Sequence, residues 1–233
     1  MNDLSSILRD NLARVRERIA AAAARAGRSS AEITLVGVTK YVDVRTARAL
    51  AECGLHDLAE SRPQELWTKA EGLSDLPLRW HFVGHLQRNK LRRTLPQVSL
   101  LHSIDSLRLL DAVAEEAAAA DRALDVLLEI NISGDATKTG VPANEATDLL
   151  PRFAELSHVR LRGLMGMAAL DGGLERARHD FVALRELRDR LKTAYPQFEL
   201  SELSMGMSDD FEVAIEEGAT LIRVGSALFE GLS

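Results

Sequence analysis

The chain has 233 residues, 46% of them apolar, 27% charged and only 4% aromatic, with a formal net charge of −6. That length suits one large α/β domain or two small ones, with a core built mainly from Leu, Val, Ile and Ala. The negative balance argues against wrapping nucleic acid or binding anionic lipid through bulk charge, and no apolar run approaches transmembrane length.

Leu4, Ile7, Leu8, Leu12, Val15 and Ile19 recur at helical spacing, and Gly27 stops that first helix after Arg25. This N-terminal segment carries acids early and lacks a signal-type apolar core, so the protein is expected to be cytoplasmic. Short apolar runs then alternate with helical segments. "EITLVGVT" precedes "VRTARALAECG", "HDLAES" precedes "PQELWTKAEGL", "RWHFVG" precedes "LQRNKLRRTL", and "VSLLHSI" precedes "DSLRLLDAVAEEAAAA". The pattern continues with "LDVLLEINIS" and "PANEATDLLPRFAEL", "VRLRGLMGM" and "GLERARHDFVALRELRDRLKTAY", "FELSELSMGM" and "SDDFEVAIEEG", and finally "TLIRVGS" and "ALFEGLS".

Eight strand–helix units after a leading helix predict a closed (β/α)₈ barrel of parallel strands, the TIM barrel, rather than an open sheet. No GxGxxG follows the first strand, and no linker divides the chain, so residues 1–233 are read as a single domain. Asp43, Asp105 and Ser208 stand at expected N-caps, Pro63 and Pro142 at expected first turns, and Pro151 inside the sixth helical segment. Cys53 is the lone cysteine, which excludes an internal disulfide and reads as a packed helical side chain.

The active site of such a barrel lies at the C-terminal ends of the strands, and polar residues gather there. Strand one ends in Thr39 and Lys40, strand two in Glu60, Ser61 and Arg62, and strand three carries His81 and His85. Strand four ends with His102 and Ser103, strand five with Asn131 and Ser133. "GMSDD" and "VGSALF", after strands seven and eight, stand where barrels often bind phosphate. Taken alone, each loop is better explained structurally, Ser208 simply starting its helix; together, with Gly225 and Ser226, they suggest a phosphate site from which Asp209 and Asp210 point away.

Arg223 shares the inward strand face with Leu221 and Gly225, and needs either a carboxylate such as Glu129 or a ligand atom as acceptor. Lys40 continues the face of Val36 and Val38. It is either a surface lysine or, desolvated near Arg223, an amine reactive toward a carbonyl. An amine opposite a phosphate cradle suits a phosphorylated aldehyde, either pyridoxal 5′-phosphate or a sugar phosphate. His81 and His85 lack a supporting carboxylate pattern, so no metal site is expected. The basic run "QRNKLRR", Gln87 to Arg93, reads as a solvated helix face.

"VGVTKYVD", "RWHFVGHLQRNK", "HSID", "EINIS", "TKTGV", "LRGLM", "LSMGMSDDFEVAI" and "GATLIRVGSALF" together resemble the pyridoxal phosphate homeostasis proteins, in order and nearly end to end. These are similar to the N-terminal barrel of alanine racemases, with an extra N-terminal helix. The resemblance implies that Lys40 forms the internal Schiff base with pyridoxal phosphate and that Met207, Ser208, Gly225 and Ser226 hold the phosphate. It further implies that Arg223 faces the pyridine nitrogen and keeps it unprotonated. Ser61 and His81 complete the expected cofactor site. Two departures stand out: the chain has Ala59-Glu60-Ser61 where the family commonly has Gly-Glu-Asn, and it ends in "FEGLS" in place of Phe-Gly and a charged tail.

The resulting expectation is a carrier that buffers the cofactor for vitamin B6 homeostasis, passing it to apo-enzymes without turnover. It is expected to act as a monomer, without nucleic-acid or membrane partners. A pyridoxal-dependent racemase is the alternative, but the chain is expected to end with the barrel and to lack a second base. Tyr195 stands at the wrong end, and Tyr41 should point to the other strand face. A Schiff-base sugar-phosphate aldolase is the remaining alternative.

Overall fold

The computed structural model describes residues 3–135, 139–169 and 171–232. Thr137 and Lys138 of the "TKTGV" motif lie outside the described residues. Nine strands run through the described chain: β1 (Thr34–Val38), β2 (Asp57–Glu60), β3 (Arg79–Phe82), β4 (Leu100–Ile104), β5 (Leu124–Asn131), β6 (Val141–Pro142), β7 (Val159–Gly166), β8 (Glu202–Ser204) and β9 (Leu221–Val224). Every pairing is parallel. The order β4-β3-β2-β1-β9-β8-β7-β5 is closed by β4 on β5, giving the expected eight-stranded barrel. Short β6 pairs with Ile130 and Asn131 at the end of β5.

Strand alternation sorts the core into two layers. Val36, Ala59, Leu100, Leu127, Met165 and Leu221 fill the barrel interior. The opposite faces of the same strands, Leu35, Leu58, Leu101, Leu128 and Ile222 among them, pack beneath the helices. Those helices are α1 (Leu4–Arg25), α2 (Val44–Glu52), α3 (Pro63–Gly72), α4 (Leu91–Thr94), α5 (Leu107–Ala119), α6 (Ala146–Glu155), α7 (Gly173–Ala194) and α8 (Phe211–Glu216).

The expected eighth helix is only a 3₁₀ turn, Ser226–Leu228. The N-terminal α1 fills that part of the ring, packing on α2, α8 and this turn through Leu8, Leu12, Val15 and Ile19. Asn11 Nδ2 donates to the Leu228 and Glu230 carbonyls at 3.0 and 2.9 Å, tying α1 to the chain's last turn. "LQRNKLRRTL" forms a broken helix, Arg88–Lys90 and Leu95–Gln97 being 3₁₀ on either side of α4. Its basic side chains are not simply solvated: Arg93 and Lys90 lie 4.2 and 5.7 Å from the Trp67 ring centre, within cation–π range.

Asp43 caps α2 through the Thr46 N–H, and Pro63 opens α3 as expected. Three local expectations differ. Ser106, one residue after Asp105, caps α5, because Asp105 is held by His85 at 2.9 Å. Pro142 stands in β6, and α6 begins only at Ala146, running through Pro151 without splitting. Ser208 does not cap α8, for a reason that belongs to the site.

Candidate functional site

A cavity of about 660 Å³ opens at the C-terminal ends of β1, β2, β3, β7 and β9. This lies within the usual range for small-molecule sites. Val38, Ser61, Val83, Met167 and Phe229 form part of its wall, and Lys40, Tyr41, Met207, Arg223, Gly225 and Ser226 also face it. Six expected site residues therefore converge from the C-terminal ends of four strands, β1, β2, β8 and β9.

β1 ends at Val38, and the chain turns through Lys40 and Tyr41 before Asp43 caps α2. Strand alternation stops applying there, which explains two differences from the sequence reading. Lys40 faces the cavity but is exposed rather than desolvated, and Tyr41, expected on the other face, lines the same cavity at 80% exposure. The Lys40 ammonium sits 4.9 Å from the Tyr41 ring centre.

Directly behind this turn, Thr39 is fully buried. Its hydroxyl donates to Glu60 Oε1 at 2.5 Å, and its carbonyl accepts from Lys69 Nζ at 2.8 Å.

The loops after β8 and β9 are cross-braced. Ser208 Oγ accepts from the Gly225 and Ala227 N–H groups at 3.2 and 3.4 Å, which is why it does not cap α8. Ser208 is buried and, unlike Met207, Gly225 and Ser226, does not itself line the cavity. Asp210 is absent from the cavity wall and turns into its own loop, where its carboxylate accepts from the Met207 N–H at 2.6 Å and burial raises its pKa. Asp209 is exposed. Gly206, at φ +89°, makes the bend that leads into this loop.

Arg223 is buried beneath the cavity. Its two terminal nitrogens donate to Ser204 Oγ at 2.6 Å and to the Gly166 carbonyl at 3.0 Å, so Glu129 is not its direct acceptor. Burial lowers its pKa to about 10, against the opposing fields of Asp210 and Glu129. Glu129 is itself buried, accepts a hydrogen bond from Thr139, and has its pKa raised by burial.

His81 does not line the cavity. It is buried inside the barrel, with one ring nitrogen on Asp57 and the other on His102. His85 is exposed and pairs with Asp105. Tyr195 packs against Phe198, away from the cavity, and Cys53 is a partly buried thiol whose pKa burial raises. Among the described residues no cluster of His, Cys, Asp or Glu could hold a metal ion, and no helix is long and apolar enough to cross a membrane.

The sequence reading missed Ser204, Asp57 and Lys69. Ser204 could have been found from its parity with Arg223 on neighbouring strands, since it pairs with Leu221. Lys69 carried no signal, since one lysine in an amphipathic helix reads as exposed.

The sequence profile of the family described as "Alanine racemase, N-terminal domain" matches residues 10–232. The pyridoxal phosphate homeostasis protein of Aquifex aeolicus is 43% identical, the alignment covering 94% of this chain and 96% of that one. The protein of the same name from Escherichia coli K12 is 40% identical, over 98% and 97%. Among solved structures, PipY of Synechococcus elongatus PCC7942 with PLP bound superimposes with a TM-score of 0.86 at 32% identity, covering 95% of this chain and 99% of that chain.

Proposed function

Because the chain belongs to the pyridoxal phosphate homeostasis protein family, within the alanine racemase N-terminal barrel fold, we propose that it binds pyridoxal 5′-phosphate at the Lys40–Arg223 cavity and carries it without catalytic turnover. The observation that carries this reading is the convergence of an amine, an arginine and two braced small-residue loops on one cavity.

The residues fit the cofactor. Lys40 offers a Schiff-base anchor for the aldehyde. Ser226 would hold the phosphate, with no side chain on Gly225 to fill the cradle; the Gly225 and Met207 N–H groups and the Ser208 hydroxyl would join it by exchanging their present bonds, Gly225 to Ser208 and Met207 to Asp210, for the phosphate oxygens. Val38, Val83 and Met167 supply apolar walls for a flat ring, and Ser61 a hydroxyl at its edge. Arg223, held from behind by Ser204 and Gly166, would face the ring nitrogen. Bound pyridoxal phosphate supplies an aldehyde that captures amines and a ring that withdraws electrons from them. An arginine on the ring nitrogen keeps it unprotonated and weakens that withdrawal, which suits storage better than carbanion chemistry. His81 is proposed to act on this site only from beneath.

Purified protein titrated with pyridoxal phosphate should develop a visible absorption band, lost in Lys40→Ala, and borohydride should fix the cofactor mass on Lys40. Absence of both the band and the adduct would remove this reading. Tyr41 favours one second reading: a phenol beside the Lys40 amine is placed to move a proton during amino-acid racemisation. Incubating the loaded protein with single L- and D-amino acids separates the two, since inversion lost in Tyr41→Phe would identify an enzyme.

A further inference from the structure

A hydrogen-bonded string crosses the barrel interior beneath the cavity. Asp57, the first residue of β2, takes bonds from Arg79, including one from Nε at 2.6 Å, and from His81 Nε2 at 3.1 Å. His81 Nδ1 lies 2.9 Å from His102 Nε2, and His102 Nδ1 lies 2.8 Å from Ser204 Oγ. Ser204 Oγ in turn receives Arg223 at 2.6 Å. His102 and Ser204 are fully buried, and His81, Arg223 and Asp57 nearly so.

Donor chemistry fixes the direction of this string. Arg223 can only donate, so Ser204 Oγ accepts from it and uses its own proton toward His102 Nδ1. Asp57 is ionised and only accepts: burial pushes its pKa upward, but hydrogen bonds from His81 and Arg79 outweigh that and hold it at about 2. His81 therefore carries its proton on Nε2. The remaining contact needs one proton, which His102 Nε2 supplies to His81 Nδ1. Both imidazoles are then neutral, and every contact has one donor and one acceptor. Burial, with the Arg223 charge acting in the same sense, pushes the His102 pKa well below its ordinary value, which keeps that ring neutral.

A second proton on His81 would reverse the order. His102 would have to donate to Ser204, whose oxygen would face two donors while its own proton lost its acceptor. Among the described residues, no charged side chain other than Arg79, Asp57 and Arg223 is seen to bond to the string. Glu129 and Asp210 act on Arg223 only through their fields.

We propose that Asp57, His81, His102 and Ser204 are positioning residues for Arg223, forming a one-directional string that anchors the guanidinium facing the cofactor ring to a carboxylate at the far end of the barrel. The ring-nitrogen part of this assignment rests on the proposed function; the string itself does not. Two measurements therefore test them apart.

In cofactor-free protein labelled with ¹⁵N-histidine at pH 8, both His81 and His102 should carry their proton on Nε2, with Nδ1 as acceptor. A His102 protonated on Nδ1 would overturn the string, whatever the protein binds. In the second measurement, Ser204→Ala removes one charge-assisted acceptor from Arg223 and should weaken pyridoxal phosphate about tenfold. It should also shift the visible band of the bound cofactor, while borohydride still fixes the cofactor on Lys40. Unchanged affinity and spectrum in a folded Ser204→Ala protein would overturn the positioning role. If wild-type protein bound no pyridoxal phosphate, the proposed function would fail while the tautomer result still decided the string.

Discussion

Lys69 Nζ lies 2.6 Å from Glu60 Oε1, with both side chains withdrawn from solvent. The pair links α3 to the end of β2 and, through the Thr39 carbonyl and hydroxyl, to the turn that presents Lys40. A buried pair need not stabilise a fold relative to an apolar replacement, but removing one partner strands the other charge. Glu60→Gln should therefore lower stability by about 3–5 kcal/mol, which for a chain of this size is a fall in Tm of roughly 10 °C. The double variant Glu60→Gln, Lys69→Met should recover a large part of that loss. Urea denaturation of wild type, Glu60→Gln, Lys69→Met and the double variant checks this; simple additivity would count against a coupled pair.

Two glycines near the proposed phosphate loops should behave differently. A Cβ on Gly206 would stand 2.6 Å from the Ala214 Cβ, at a φ of +89° that side chains rarely adopt. Gly206→Ala should cost about 2 kcal/mol or more, seen as a lower denaturation midpoint. A Cβ on Gly225 would meet only ordinary contacts, the nearest being the Val38 carbonyl at 3.4 Å. Gly225→Ala should keep its denaturation midpoint yet bind pyridoxal phosphate more weakly by spectroscopic titration, because the methyl group enters the proposed cradle.

Ser61 lines the cavity where relatives of this family commonly carry Asn. Ser61→Asn should restore a longer amide to the ring edge and strengthen cofactor binding several-fold, on the order of one neutral hydrogen bond. A weaker affinity by the same titration would show that the shorter hydroxyl is matched to this cavity.

Acid stability should depend on Asp57. Its folded pKa of about 2 lies below its ordinary value of 3.8. The stabilisation is thus present above about pH 4 and lost as pH falls toward 2. The shift corresponds to about 2 kcal/mol, and Asp57→Asn should flatten that part of the stability profile. Glu129 has the opposite sign: burial raises its pKa, so its ionisation on going to neutral pH opposes folding. Glu129→Gln, which keeps an acceptor for Thr139, should be more stable than wild type at pH 7 and show less gain on acidification. Denaturation midpoints between pH 3 and 7 measure both effects.

The barrel was legible in the sequence because strand and helix periodicities are local. Val36, Val38, Leu221 and Arg223 declare their strand faces within five residues, and the Gly225–Ser226 and Met207–Ser208 loops follow at fixed distances. Lys40 could be placed at the mouth by the same counting, but its exposure and its contact with Tyr41 could not. The chain leaves the strand at Val38, and alternation has no meaning in the turn beyond it. Nor could residue order reveal that Ser208 braces Gly225, that Asp210 turns into its own loop, or that Lys69 is buried on Glu60. His102 and Ser204 stand 102 positions apart in sequence and 2.8 Å apart in the barrel. Periodicity determined which residues point inward; only closure of the barrel decided which of them meet, because contacts across its interior depend on the register of every strand between them.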